Sequence, residues 1–177
     1  MRNNNTATDF ARCVTRFLTS HLPGERNLSP QTIKSYCIAL RIYIGYLNAS
    51  IGLKPECIEL KDVTADSIIG FLASMAGPIS PNTHNQRLSA LKTFVRYAIL
   101  EYPAFLQNGQ RILAISSKRR DKHEIVYLEK DATKALLAIP NQSCAHSKRD
   151  LAIMAMLYDT GARIQELINI LDSRLNF

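Results

Sequence analysis

Cysteine is scarce in this sequence, and the four cysteines are far apart: Cys13, Cys37, Cys57 and Cys144. No two of them form a Cys-x-x-Cys pair, so their spacing indicates neither a zinc site nor a disulfide framework. We expect them to be reduced and to pack as small buried hydrophobic side chains.

Long apolar runs are also missing. No stretch approaches the roughly 20 consecutive apolar residues that cross a bilayer. Residues 1–5 are polar, whereas a secretory signal would be apolar there. The sequence therefore predicts a cytoplasmic protein with no membrane partner.

Positive charge, by contrast, is in excess. The chain has 177 residues, with 22 Lys and Arg against 15 Asp and Glu, a net charge of +7. This balance favours a polyanionic partner such as nucleic acid. The excess is sharpest in residues 111–123, RILAISSKRRDKH, which contain five Lys or Arg and one Asp. The hydrophobic content of 46% is otherwise that of one or two globular domains.

The N-terminal part of the chain has four segments with the spacing of amphipathic helices. The first covers residues 9–22 and is expected to end at Pro23 and Gly24, since both residues interrupt helices. The second begins at Ser29-Pro30, because serine caps a helix and proline fits its first turn.

The third and fourth helices begin with similar signals. Thr64 is expected to cap a short helix that runs through Ala76. Ser80-Pro81 then repeats the start seen at Ser29-Pro30. Four such helices joined by short loops form a compact bundle, which we assign to residues 1–108.

The apolar stripes of these helices predict the core. The positions expected to be buried are Phe10, Cys13, Val14, Phe17 and Leu18; Ile33, Tyr36, Cys37, Leu40, Ile44 and Leu47; Ile68, Ile69 and Leu72; and Leu88, Leu91, Phe94, Val95 and Ala98.

Residues 109–126 lack this periodicity and contain the basic run, which is typical of an interdomain linker. A second domain is assigned to residues 127–177, with helices at about 129–139 and 147–159. Residues 151–157 are apolar on every side, as in a helix inside a large core. Because few residues follow, we expect the sequence to stop inside this domain.

The strongest motif follows that apolar helix and reads Thr160-Gly-Ala-Arg-Ile-Gln-Glu-Leu167. Gly161 permits a sharp turn, and Arg163 at the start of the next helix can meet an anion. A planar guanidinium suits phosphate because it donates two hydrogen bonds and stays charged. The alternative is an ordinary helix stop, with Arg163 and Glu166 forming an exposed pair worth ~0.3 kcal/mol.

This motif resembles the first catalytic box of the tyrosine recombinases, the phage integrase family, which reads Thr-Gly-x-Arg-x-x-Glu-Leu. The order of a helical bundle, a basic linker and an aromatic-leucine entry at Tyr127-Leu128 is similar to that family too. The resemblance implies a mainly α chain: a four-helix, SAM-like core-binding bundle, then a truncated, helical start of an α+β catalytic domain.

The resemblance also implies a chemistry. Family members cut and rejoin double-stranded DNA by transesterification through a phosphotyrosine, without a metal or nucleotide cofactor. Arg163 would grip the scissile phosphate and stabilise the charge that develops when the tyrosine attacks. Glu166 would support that arginine.

The rest of the family's catalytic set follows the first arginine: a lysine, a His-x-x-Arg box, a further His or Trp, and the tyrosine nucleophile. Residues 168–177 contain none of these. His84 to Arg87 and His146 to Arg149 do spell His-x-x-Arg, but both precede Arg163, and we interpret them as coincidences. Tyr158 ends the apolar helix and is expected to pack in the core.

For DNA contact, mainly with phosphates, the sequence indicates polar residues on the helical faces and in the linker. They are Lys34, Arg41, Asn85, Lys92, Arg96, Lys118, Arg119 and Arg120. For each residue alone, a solvated helix face is the competing interpretation.

Three hypotheses follow. The first is a truncated integrase that binds DNA but cannot recombine it alone. The second is a non-catalytic DNA-binding protein that occupies recombination sites or pairs with a full-length recombinase. The partner on DNA would be a second copy of the chain or a full-length recombinase. The third is a helical interaction module whose basic faces contact an acidic protein.

Overall fold

The protein is described here from a computed structural model, which covers residues 7–75, 79–119, 127–139 and 145–170. The chain forms two compact units, Met1–Asp121 and Lys122–Phe177. The described residues are helical with short connections, which confirms a mainly α fold. Across these same ranges, no helix is long and apolar enough to cross a membrane.

The first unit is a helical bundle. Its described α-helices are α1 (Asp9–Arg16), α2 (Pro30–Ile51), α3 (Ala65–Ser74), α4 (Pro81–Glu101) and α5 (Leu106–Leu113). The central element is α4, which packs against α1, α2 and α5, while α2 also packs against α3.

The predicted helix starts are confirmed. The Ser29 hydroxyl accepts a hydrogen bond from the Thr32 amide at 3.3 Å, which caps α2. The Ser80 hydroxyl accepts from the Thr83 amide at 3.2 Å and caps α4 in the same way. Thr64 caps α3, whose last residue is Ser74. These starts are local in sequence, since each cap bonds an amide three residues ahead.

The predicted stop at Pro23 and Gly24 is wrong. After α1 the chain continues as a π-helix, Phe17–Glu25, with Pro23 inside it. Proline has no amide hydrogen to donate. It is therefore accommodated in a turn where the regular i to i−4 hydrogen bonds are already interrupted. Phe17 and Leu22 of this segment are fully buried, and their packing stabilises the wider turn.

The core lies where the apolar stripes predict it, with one clear exception. All five predicted positions on α4 are buried, as are Phe10, Phe17 and Leu40. Ile69, however, is 50% exposed. The buried face of α3 is formed by Ile68, Phe71 and Leu72 instead. Cysteine burial is also mixed: Cys13 is buried and Cys57 is exposed, while Cys144 lies outside the described residues.

The first unit continues past the predicted boundary at residue 108. Residues 106–113 form α5, which packs against α3 and α4, and its Ile112 is completely buried. Gly109 belongs to this contact and not to a flexible linker. A methyl group on Gly109 would lie 2.5 Å from Ile99 Cδ1, so glycine is what lets α5 approach α4 so closely.

Replacing Gly109 with alanine is therefore expected to destabilise the first unit by up to about 2 kcal/mol. The usual cost of overpacking a filled core is about 1 to 3 kcal/mol, and the gain in helix propensity offsets up to about 1 kcal/mol of it. Gly45→Ala is the matched control, because a methyl group at this exposed position of α2 meets nothing within 4 Å. That control should gain up to about 1 kcal/mol from helix propensity. Denaturant unfolding measures both, and equal effects of the two variants would contradict the packing argument.

The second unit contains α6 (Lys130–Ala138), α7 (Ala145–Thr160) and α8 (Ile164–Ile168). Among its described side chains, at 127–139 and 147–170, none is buried. The apolar residues of α7 lie half-exposed, and Tyr158 is 60% exposed. The expectation that Tyr158 packs in a core is therefore wrong for this unit as described.

Candidate nucleic-acid interface

Acidic residues are absent from the sequence of the two long helices, apart from one terminal glutamate. No Asp or Glu occurs between Glu25 and Glu56, which includes all of α2. None occurs between Asp66 and Glu101, and Glu101 is the last residue of α4. Glu101 is moreover paired with Arg16 at 2.9 Å. The cations of α2 and α4 therefore have few carboxylates along their own helices.

A groove of about 580 Å³ separates the N-terminal halves of α2 and α4. None of its described lining residues has a carboxylate, and eight of the twelve have uncharged polar side chains. The residues are Gln31, Thr32, Ser35, Tyr36, Ile38, Ala39, Thr83, Asn85, Gln86, Arg87, Ser89 and Ala90. Such a lining offers hydrogen bonds to a polar partner without repelling an anion.

The segment that follows α5 is attached to α4. The Asn85 side-chain amide donates to the Lys118 carbonyl at 2.8 Å, and the Lys118 amide donates to Asn85 Oδ1 at 2.9 Å. Lys92 Nζ donates to the Ile115 carbonyl. Residues 115–118 are therefore tied to two points of α4. Together with Arg119, which follows them, they are called the attached segment.

The spacing of these two points fits an extended segment. Asn85 and Lys92 are seven residues apart in a helix, a rise of about 10.5 Å. Three extended residues, from Ile115 to Lys118, span about 10 Å. The segment thus runs along α4 toward its N-terminus and brings the Lys118 backbone to Asn85, which lines the groove.

The structure divides the predicted DNA contacts into two groups. Five cations are exposed, and together we call them the basic surface: Lys34, Arg41, Arg96, Lys118 and Arg119. Asn85, by contrast, is only 4% exposed, and Lys92 is partly buried with its ammonium on a carbonyl. Burial, and secondarily the nearby Arg96, lower the pKa of Lys92. Arg120 lies outside the described residues.

The basic surface follows the exposed sides of three elements. Lys34 and Arg41 lie about one turn on either side of Ile38, which lines the groove from α2. Arg96 lies one turn beyond Lys92 on α4 and interacts with it electrostatically. The attached segment adds Lys118 and Arg119.

The two His-x-x-Arg sequences that precede Arg163 make local contacts, as far as their side chains are described. His84 is buried, with Nδ1 3.4 Å from Asn85 Oδ1. Arg87 contacts the sulfur of Met75. Of the second match, the side chain of His146 lies outside the described residues, and Arg149 pairs with Asp150 at 3.1 Å.

In the second unit, the turn that presents Arg163 is built by its neighbours. Gly161 has φ +64°, the left-handed conformation that favours glycine after a helix. The Thr160 hydroxyl donates to the Met156 carbonyl at 2.6 Å and accepts from the Ala162 amide at 3.2 Å. Arg163 consequently lies at the N-cap of α8, as the motif predicts.

Glu166 holds Arg163 in two ways. One carboxylate oxygen accepts from the Arg163 amide at 2.8 Å, and the other accepts from the guanidinium at 3.0 Å. The Arg163 side chain is 85% exposed, so this ion pair contributes at most about 1 kcal/mol. Among the described residues, no group of three or more His, Cys, Asp or Glu is placed to hold a metal ion.

A known protein family matches most of the first, helical unit. Residues 14–102 match the family described as phage integrase, N-terminal SAM-like domain. The chain is 31% identical over 163 residues to y4rC of Sinorhizobium fredii, named as an integrase/recombinase, covering 91% of this chain and 49% of that protein. No solved structure matches the chain.

Two further relatives carry the name tyrosine recombinase. XerC of Pelobacter propionicus is 28% identical over 150 residues, covering 85% of this chain and 48% of XerC. XerD of Listeria monocytogenes is 28% identical over 148 residues, covering 82% and 47%. The chain thus spans about half the length of these relatives. It belongs to the tyrosine recombinase, or phage integrase, family, and residues 14–102 are its N-terminal SAM-like domain.

Proposed function

We propose that this chain is the DNA-binding portion of a tyrosine recombinase, and that its first unit grips duplex DNA through the basic surface. The observation that carries the proposal is the separation of charge: exposed cations on α2, α4 and the attached segment, beside a groove lined without carboxylates. The third hypothesis, binding of an acidic protein, would involve the same cations. The family relationship does not support it.

The expected contacts are mostly with phosphates. Arginine and lysine neutralise backbone charge and release counterions whatever the base sequence, which fixes the register of the protein on the duplex. The uncharged polar residues of the groove, such as Gln31 and Gln86, are suited to base edges, because amides donate and accept hydrogen bonds.

Arg163 has a separate role in the proposal. At the start of α8 it presents an exposed guanidinium, which pairs with Glu166. In strand exchange by a protein that supplies the remaining catalytic residues, this arginine would hold the scissile phosphate. Recombination itself is therefore proposed for such a whole protein, while DNA binding is proposed for this chain.

Binding of the 177-residue chain to a fluorescent duplex, measured over a range of salt concentrations, tests the proposal. Five phosphate contacts predict that log K falls against log salt with a slope of about −4.5. Duplexes of unrelated sequence should give similar slopes, since the contacts are with the backbone. A slope near zero, or tighter binding to an acidic protein than to any duplex, would contradict the proposal.

A further inference from the structure

We propose that Asn85 and Lys92 do not contact DNA but are positioning residues, which hold residues 115–118 against α4 so that Lys118 and Arg119 join the basic surface. This inference rests on the proposed function. It changes the role of two residues whose type and helical spacing alone indicate direct DNA contact.

The hydrogen bonds of Asn85 leave little of its side chain for a ligand. Its amide donates to the Lys118 carbonyl and accepts from the Lys118 amide, the paired pattern that one strand offers another. His84 Nδ1 lies 3.4 Å from the same oxygen. Because Asn85 is buried, reaching a base would require it to release the segment.

Lys92 provides the second attachment. An ammonium group on a backbone carbonyl is a charge-assisted hydrogen bond, and here it holds Ile115 three residues before Lys118. With both ends held, the segment has a fixed direction along α4. One attachment alone would leave the segment free to pivot.

Fixing the segment in the free protein favours DNA binding, because a mobile segment would have to become ordered when the DNA binds. Each backbone residue that becomes ordered on binding carries a cost in conformational entropy, and this cost offsets part of the attraction between flexible cations and phosphates. Attachment in the free protein removes the cost beforehand. Lys118 and Arg119 both remain exposed, so holding the backbone does not bury their charges.

Asn85→Ala provides a sharp test because it changes no charge. We expect the wild-type chain to bind duplex DNA with a steep salt dependence, and the variant to lose about 1.8 from the magnitude of the slope, the share of two phosphate contacts. A fourfold rise in salt would then weaken the wild type about twelvefold more than the variant. In the free protein, hydrogen exchange at the Lys118 amide should become faster.

A double-mutant cycle separates positioning from direct contact. Adding Asn85→Ala to a Lys118→Ala, Arg119→Ala background should change DNA binding little, because the cations that it positions are gone. If Asn85 instead bonds a base, its loss weakens binding equally at every salt concentration and in both backgrounds, which overturns the inference.

Ser67→Ala is the control for a purely structural effect. Ser67 bonds the buried Tyr43 hydroxyl at 2.6 Å and no residue of the attached segment, so its loss lowers thermal stability and leaves the salt slope unchanged. An equal slope change in Ser67→Ala and Asn85→Ala would overturn the inference. A steep wild-type slope that Asn85→Ala leaves intact overturns the inference alone, whereas a flat wild-type slope overturns the proposed function and the inference with it.

Discussion

Removing four cations from the basic surface is expected to reduce the slope of log K against log salt by about 3.6 in magnitude. Between about 50 mM and about 200 mM salt, the wild-type chain should therefore lose about 150-fold more affinity for a duplex than the variant does. The substitutions are Arg41→Ala, Arg96→Ala, Lys118→Ala and Arg119→Ala. All four side chains are exposed, so each is expected to change stability by no more than about 0.5 kcal/mol.

The control for this variant must have the same change in net charge, because total charge alone affects association with a polyanion. Four exposed lysines outside the basic surface meet that need: Lys54, Lys61, Lys130 and Lys134. Lys61 pairs with Glu59 at 2.6 Å, and Lys134 lies 3.8 Å from Asp131. Their replacement by alanine should leave the slope near the wild-type value. Equal flattening by both quadruple variants would show that net charge, and not this surface, drives binding.

The helix starts could be predicted because each depends on residues close in sequence. A serine hydroxyl that caps α2 or α4 bonds an amide three residues ahead, and proline after it fixes the first turn. The Gly161 turn is equally local, which is why Arg163 lies where the motif predicts. Such features depend only on nearby residues and not on how the rest of the chain folds.

The role of Asn85 could not be predicted in this way. Its partner, Lys118, is 33 residues further along, and neither residue shows a pattern that links them. A polar residue on a helix is usually solvated, so the sequence places Asn85 with the exposed cations of α4. Long-range bonds between a side chain and an extended backbone leave no periodic signal in a single sequence.

The domain boundary was misplaced for a different reason. Glycine and serine after residue 108 are typical of a loop, so the sequence predicts a linker where a short helical pattern is also present. Phe105, Gly109 and Ile112 are spaced four and three residues apart, which places them on one face of a helix, and all three are buried. Gly109 marks a close helix contact and not a flexible link, a distinction that the residue type alone does not make.

The predicted role of Arg163 leads to the second large effect. In a longer protein that continues this chain with the nucleophile, Arg163→Ala is expected to slow strand cleavage by about 10² to 10³-fold, the cost of losing one donor to transition-state charge. DNA binding by the 177-residue chain should change little, since Arg163 belongs to the second unit and is not part of the basic surface. The two measurements together separate a catalytic from a binding role.

Arg149→Ala is the matched control for Arg163→Ala. Both arginines are exposed and paired with a neighbouring carboxylate in the second unit, at 3.1 Å and 3.0 Å, so the two variants change charge equally. Only Arg163 lies at the turn after Gly161, so only its loss should slow cleavage. The assay incubates each protein with a nicked duplex and resolves covalent protein–DNA adducts on a denaturing gel.

The 177-residue chain itself is expected to form no adduct, because no tyrosine follows Arg163 within it and this arginine stabilises charge only where a nucleophile creates it. An adduct from this chain that disappears in the Arg163→Ala variant would show that a tyrosine earlier in the sequence attacks phosphorus. Tyr158 would then be the first to replace with phenylalanine, since its exposed hydroxyl lies five residues before Arg163 in the same unit.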